Sequence, residues 1–127
     1  MRKILIVDDE MDTRLLLEKG LIAEGYSVTT AYNGNKGLAL AKLNRPDLII
    51  LDRALGDMLG EEVAARLKED PKTKDISIIF LSALFSKKDE IKRCHTFNDS
   101  PMFAKPYDIE ELVTTIEELL QKKDICK

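Results

Sequence analysis

The chain has 127 residues, of which 44% are hydrophobic and 34% charged, as expected of one globular domain and not of a disordered segment. Its formal net charge of −3 argues against direct binding of nucleic acid, because contact with a phosphate backbone requires a concentrated basic surface. The apolar runs are too short for a signal peptide or a membrane span. The two cysteines lack metal-binding spacing, which is typical of reduced thiols. We therefore predict a cytoplasmic protein with no membrane partner.

The first half of the chain alternates short apolar runs with longer amphipathic stretches. Residues 3–7 form a continuous apolar run and residues 27–31 are rich in β-branched side chains, so both segments are predicted to be strands. Apolar residues at helical spacing predict helices over residues 12–24 and 36–43. Turn residues, including an Asn-Gly pair, separate these segments.

The second half of the chain continues this alternation. The same rules predict strands at residues 47–51, 76–81 and 102–104, and helices at 61–70, 86–95 and, after an Asp108 N-cap, 109–122. Five strands alternating with five helices predict an α/β domain with a parallel sheet covered on both faces. We expect the domain to occupy residues 1–122 and residues 123–127 to be a frayed end.

The carboxyl ends of the predicted strands carry a recurring set of polar residues. Asp8 and Asp9 follow the first strand, Asp52 the third, Ser82 the fourth and Lys105 the fifth, at the sheet edge where open α/β proteins bind ligands. Each is common alone as a cap or turn residue. Together they suit one chemistry, because Mg²⁺ relieves the repulsion between carboxylates and an aspartate can accept a phosphoryl group. A hydroxyl and an ammonium group can stabilise the phosphoryl oxygens.

Four segments resemble the receiver domain of two-component response regulators. They read KILIVDDE, DLIILDRALGDMLGEE, IIFLSA and FAKPYD, and the resemblance extends from residue 3 to about residue 120. It implies the flavodoxin-like fold, a doubly wound five-stranded parallel sheet in the order 2-1-3-4-5 with five helices.

The resemblance also implies a metal site. Mg²⁺ would be held by Asp9 directly and by Asp8 through water. Asp52 and the backbone carbonyl of Ala54 would complete the protein ligands.

The implied function is a phosphorylation-dependent switch. Asp52 would accept the phosphoryl group, Ser82 would donate a hydrogen bond to it and Lys105 would pair with its charge. The donor would be a sensor histidine kinase or phosphotransfer protein, and the modified domain would regulate an unknown downstream partner or output domain. Such a domain catalyses its own phosphorylation and dephosphorylation but is regulatory, not an enzyme of metabolism. We expect a monomer or weak homodimer.

Two other functions fit the sequence less well. A pseudo-receiver, which binds partners without phosphorylation, would not need the complete set of site residues. A Mg²⁺-dependent aspartyl-phosphate phosphatase would place a second carboxylate two residues after its nucleophile, where this chain has Ala54. The glycine motifs GxGxxG and GxxxxGK[ST], which bind phosphate groups, do not occur in the sequence, and this argues against a flavin- or nucleotide-binding domain.

The sequence departs from the family pattern around the predicted site. Gly56 replaces the usual proline, which predicts a looser loop. Arg53 replaces an apolar residue, and its long side chain could lie near the phosphoryl site or face solvent, of which solvent is favoured. Residues 97–101 replace a small Gly-Ala turn. Met102 occupies the usual aromatic switch position, while Phe103 must face the opposite side of the strand and pack in the core. We expect the flexible thioether of Met102 to take over the coupling role.

Small residues at Ala54 and Ala83 leave the acceptor open to water. They predict a phosphorylated state that is not unusually long-lived. His95, the only histidine, is interpreted as a surface residue of a helix.

Overall fold

The computed structural model describes residues 2–82, 96–97, 100–104 and 108–125. The described elements are β1 (Lys3–Val7), α1 (Met11–Ala23), β2 (Ser27–Ala31), α2 (Gly34–Asn44), β3 (Leu48–Asp52), α3 (Gly60–Glu69), β4 (Ser77–Ser82), β5 (Thr96–Phe97), β6 (Ser100–Ala104) and α4 (Ile109–Ile125). The predicted alternation of strands and helices is confirmed for these residues. The helix predicted at 86–95 lies outside them.

The sheet has the strand order β2-β1-β3-β4-β6-β5. The strands β2, β1, β3, β4 and β6 are parallel to one another. The predicted order 2-1-3-4-5 is therefore confirmed, with β6 as the fifth parallel strand. The two-residue strand β5 runs antiparallel to β6, with Thr96 opposite Pro101 and Phe97 opposite Ser100. Strand β6 thus begins two residues before the predicted start at 102, because the pairing with β5 extends it.

Both faces of the sheet are buried, as the continuous apolar strands predicted. Side chains on one face form a cluster with α2 and α3, and those on the other face form a cluster with α1 and α4. Met102 is 9% exposed and belongs to the first cluster, whereas Phe103 packs against the second. The prediction that these two neighbours face opposite sides, with Phe103 in the core, is confirmed.

Helix α2 begins at Gly34, two residues before the predicted start. The reason is a cap, since the Asn33 side chain accepts a hydrogen bond from the Lys36 backbone N–H at 2.8 Å. A Cβ at Gly34 would collide with the Met58 side chain, which would have to move. The Asn33 cap therefore sets the start of α2, and the segment after β3 packs against its first residue.

Helix α4 begins after Asp108, whose side chain accepts a hydrogen bond from the Glu110 backbone N–H at 2.9 Å. The predicted N-cap is confirmed. The helix continues to Ile125, beyond the predicted end at residue 122 and into the segment 123–127 that was expected to fray. Among the described residues, no helix combines the length and apolar character that crossing a membrane requires.

Candidate metal and phosphoryl-acceptor site

Strand register brings the predicted site residues to one edge of the sheet. Val7 of β1 pairs with Leu51 of β3. The residues that follow them, Asp8 and Asp52, therefore lie side by side. Asp52 pairs with Leu81 of β4, and the next residue, Ser82, ends that strand. Three of the predicted side chains are thus brought together by pairing alone.

Four carboxylates form an acidic cluster at this edge: Asp8, Asp9, Glu10 and Asp52, each with an oxygen within 4.8 Å of the others. Asp8 and Asp52 are buried, at 0% and 4% exposure, whereas Asp9 and Glu10 are exposed. Glu10 was not predicted to join the site, although it continues the Asp8-Asp9 run. Buried carboxylates so close together repel each other, and a bound cation would lower that cost.

The acidic cluster fits a magnesium ion by the chemistry of its donors. Mg²⁺ prefers carboxylate and carbonyl oxygens and keeps several water ligands. Two oxygens bound to the same ion at its usual distance lie at most about 4.2 Å apart. The 4.8 Å limit of the acidic cluster is close to this value, so an ion would bind some carboxylates directly and reach others through water.

The main chain around Asp8 holds the acidic cluster in place. The Oδ1 atom of Asp8 accepts a hydrogen bond from the Glu10 backbone N–H at 2.9 Å. The Arg14 guanidinium of α1 donates to the Asp8 carbonyl oxygen at 2.7 Å. Arg14 was not singled out in the sequence, because one cation in an amphipathic helix carries no local signal. This bond ties the backbone at Asp8 to the first turn of α1.

Asp52 is held by the residues that follow it. Its Oδ1 atom accepts a hydrogen bond from the Ala54 backbone N–H at 3.2 Å, which restricts rotation of the carboxylate. Ser82 is buried, at 1% exposure. Ala54 is exposed, whereas Asp52 itself is only 4% exposed, so the access of water to the acceptor stays a prediction. Ala83, Lys105 and His95 lie outside the described residues, so their predicted roles stay predictions.

The segment from residue 53 to residue 59, called the acceptor loop here, connects Asp52 to α3. The Gly60 backbone N–H donates to the Arg53 carbonyl at 2.8 Å, which closes the loop at its base. A Cβ at Gly60 would collide with the Asp52 carbonyl oxygen and approach the Arg53 Cα to 2.9 Å. Glycine is required here because the start of α3 touches the backbone of the acceptor residue.

The tip of the acceptor loop is attached to the start of α2. The Asp57 carboxylate accepts hydrogen bonds from the backbone N–H groups of Gly34 and Asn35, at 2.8 and 2.9 Å. These bonds to the charged form lower the pKa of Asp57 below its ordinary value. No local pattern predicts this contact, because 22 and 23 residues separate the partners.

Arg53 forms an ion pair with Glu61 in the first turn of α3. Two of its nitrogens, Nη2 and Nε, lie 2.6 and 3.1 Å from the same Glu61 oxygen, and the Arg53 side chain is 28% exposed. The side chain thus faces solvent only in part, because its guanidinium group is paired with Glu61. Gly56, by contrast, is exposed, and a Cβ built there would meet nothing within 4 Å.

Comparison with known proteins agrees with this architecture. The sequence matches the response regulator receiver domain family over residues 4–117. The chain belongs to this family. This receiver domain is 38% identical over 124 residues to the DNA-binding dual master transcriptional regulator RpaA of Synechocystis sp., with 98% of this chain and 51% of that protein covered. It is 35% identical over 121 residues to sporulation initiation phosphotransferase F of Bacillus subtilis, with 95% of each covered.

The receiver domain thus spans about half the length of RpaA and nearly all of the Bacillus protein. Among solved structures, chemotaxis protein CheY4 of Vibrio cholerae superposes with a TM-score of 0.80 at 31% identity, covering 94% of this chain and 98% of that chain. A CheY-like receiver domain from Methanospirillum hungatei shares the fold with a TM-score of 0.85 at 24% identity, covering 100% and 99%.

These matches confirm the predicted family, fold and function. The chain is a receiver domain of the response regulators of two-component signalling. Receiver domains generally bind Mg²⁺ at an acidic pocket and interact with histidine kinases or phosphotransfer proteins. The acidic cluster lies where such a pocket is expected.

Proposed function

We propose that Asp52 is the residue on which this receiver domain is phosphorylated. The observation that carries the proposal is the position of this buried carboxylate, within 4.8 Å of three other carboxylates at the carboxyl edge of the sheet. Asp8, Asp9 and the Ala54 carbonyl would hold Mg²⁺ together with Asp52. The bound ion would neutralise charge on the transferred phosphoryl group.

The proposed donor is a phosphohistidine on a sensor histidine kinase or phosphotransfer protein. A carboxylate oxygen of Asp52 attacks phosphorus, so that an O–P bond forms while the P–N bond to the donor breaks. The imidazole nitrogen of the donor keeps the electron pair of the broken bond. The hydrogen bond from Ala54 holds the Asp52 carboxylate in one orientation during the attack.

Two further side chains are assigned to the phosphoryl group. The Ser82 hydroxyl ends the neighbouring strand and would donate a hydrogen bond to a phosphoryl oxygen. Lys105 follows β6 in the sequence and would contribute its charge. Phosphorylation would shift the balance between two conformations, and a downstream protein or output domain would bind one of them. Autophosphorylation and dephosphorylation on Asp52 would thus serve regulation.

Acetyl phosphate provides a direct test of the acceptor. The purified domain is incubated with it, with and without Mg²⁺, and its intact mass is measured beside that of Asp52→Asn. Asp47→Asn is a matched control, because Asp47 precedes the same strand at the opposite edge of the sheet, where it accepts a hydrogen bond from Lys3. We expect an adduct that requires Mg²⁺, forms on wild type and Asp47→Asn, and is absent from Asp52→Asn.

Two results would contradict the proposal. An equal adduct on Asp52→Asn would place phosphorylation on another residue. A wild-type domain that binds Mg²⁺ but forms no adduct, with acetyl phosphate or with a phosphorylated histidine donor, would have the behaviour of a pseudo-receiver. Ser82→Ala and Lys105→Ala are expected to slow adduct formation without abolishing Mg²⁺ binding, because neither residue is assigned as a ligand.

A further inference from the structure

The acceptor loop is attached to the body of the domain at three places. At its base, Ala54 and Leu59 form an antiparallel bridge. In its middle, Leu55 is 8% exposed and packs in the core cluster with α2 and α3. At its tip, Asp57 accepts two backbone hydrogen bonds from the first residues of α2. Between the last two lies Gly56, whose surroundings are open.

The attachment at the tip is specific in geometry. One carboxylate oxygen of Asp57 binds the Gly34 N–H at 2.8 Å and the other binds the Asn35 N–H at 2.9 Å. These N–H groups belong to the first turn of a helix and have no partner within it, so a carboxylate is well placed to accept from them. The neighbouring Met58 side chain packs against Gly34, so that a Cβ there would require Met58 to move. Two successive residues of the loop therefore contact one turn of α2.

We propose that Asp57 is a positioning residue that fixes the acceptor loop for Mg²⁺ binding and phosphoryl transfer. This inference rests on the proposed function, in which the loop follows Asp52 directly and supplies the Ala54 carbonyl as a ligand. Groups that orient a metal ligand strengthen binding because the ligand need not be ordered when the ion arrives. The Ala54 N–H also orients the Asp52 carboxylate, so movement of the loop would disturb both groups.

A purely structural role for Asp57, as a second cap of α2, can be separated from this one. Asn33 caps the same helix by accepting from the Lys36 N–H at 2.8 Å, but it is not part of the acceptor loop. Loss of either side chain removes a cap from α2. Only loss of Asp57 releases the tip of the loop. Asn33→Ala is therefore a matched control for Asp57→Ala.

The experiment compares wild type, Asp57→Ala, Asp57→Asn and Asn33→Ala. Urea unfolding first measures the stability of each variant. Mg²⁺ alone is then titrated into each protein, and its dissociation constant is obtained from the NMR shifts of the Ala54 and Gly56 amides. The rate of adduct formation with acetyl phosphate is measured at saturating Mg²⁺, so that weaker metal binding and slower transfer are recorded separately.

We expect Asp57→Ala to weaken Mg²⁺ binding about tenfold, the lower end of the loss seen when a group that orients metal ligands is removed. Asn33→Ala should bind Mg²⁺ as wild type does, despite losing a helix cap. Asp57→Asn should be intermediate, because its single amide oxygen keeps one acceptor. The amides of the acceptor loop should exchange with solvent faster in Asp57→Ala than in Asn33→Ala.

Three results would overturn the inference. Equal Mg²⁺ affinities in Asp57→Ala and wild type would show that the loop is positioned without Asp57. Equal losses in Asp57→Ala and Asn33→Ala would show that Asp57 acts only through the helix. Equal losses in Asp57→Ala and Asp57→Asn would show that its charge, and not its hydrogen bonds, attracts the ion. A wild-type domain without Mg²⁺-dependent phosphorylation would instead refute the proposed function.

Discussion

Replacing Gly60 by alanine tests whether the close approach of α3 is needed to hold the acceptor. A Cβ at this position would collide with the Asp52 carbonyl oxygen, and it would lie 2.9 Å from the Arg53 Cα and 3.1 Å from the Asp52 carbonyl carbon. All three atoms belong to the backbone, so none can rotate away as a flexible side chain would. The start of α3 or the end of β3 must move instead.

The expected loss of stability can be worked from these contacts. Overpacking in a well-packed site costs about 1–3 kcal/mol, and contact with backbone atoms favours the upper part of that range. Alanine recovers up to about 1 kcal/mol from its better helix propensity and the less flexible unfolded chain. The net loss for Gly60→Ala is then about 2 kcal/mol. With a urea m-value of about 1–3 kcal/mol/M, the unfolding midpoint should fall by roughly 1 M.

Gly56→Ala is the matched control, since it makes the same change in the same connection. Its Cβ would meet nothing within 4 Å, and its backbone does not have the positive φ that disfavours alanine. We expect it to be as stable as wild type or more stable by about 0.4–1 kcal/mol. Adduct formation with acetyl phosphate should slow about tenfold or more in Gly60→Ala, because small displacements of a reacting group are costly.

Urea unfolding and the phosphorylation rate together decide this prediction. If Gly60→Ala unfolds at the same urea concentration as Gly56→Ala and forms the adduct as fast, the contact between α3 and Asp52 is not needed. A loss of stability with an unchanged rate would show that the contact supports the fold without positioning the acceptor.

Met102→Ala should lose about 2 kcal/mol in urea unfolding, the lower end for a truncated core methionine, because Met102 is 9% exposed; unchanged stability would contradict its packing. A double-mutant cycle on Arg53 and Glu61 should give about 0.5 kcal/mol and decrease with salt, since both side chains are about a third exposed; no coupling at low salt would contradict the ion pair. Asp57 has a lowered pKa in the folded state, so its stabilising effect is present above the ordinary aspartate range and is lost as pH falls through the lowered pKa. The stability difference between wild type and Asp57→Asn should therefore disappear in acid, and a difference that grows in acid would refute the assignment.

Local sequence patterns predicted the parallel α/β sheet and the positions of Asp52 and Ser82 at one edge of it, whereas the strand order was implied by the family resemblance. Strands β1, β3 and β4 are short runs that are apolar apart from residues at their ends. Such runs are recognisable because a strand covered on both faces has no polar side to display. Asp52 and Ser82 were predicted from the same runs, because each residue closes one of them. The rule that parallel strands present their carboxyl ends at one edge then brought these residues together without knowledge of any side-chain contact.

Only the tertiary structure decided the partners of the loop residues. Arg53 was expected to point into solvent, but folding placed Glu61 within 2.6 Å of it. Asp57 carried no signal in the sequence, because its partners lie 22 and 23 residues away at the start of α2. A loop side chain can reach several directions, and its own sequence does not favour one of them. The packing of α2 and α3 on the same face of the sheet supplies the partner, and so determines how the acceptor loop is held.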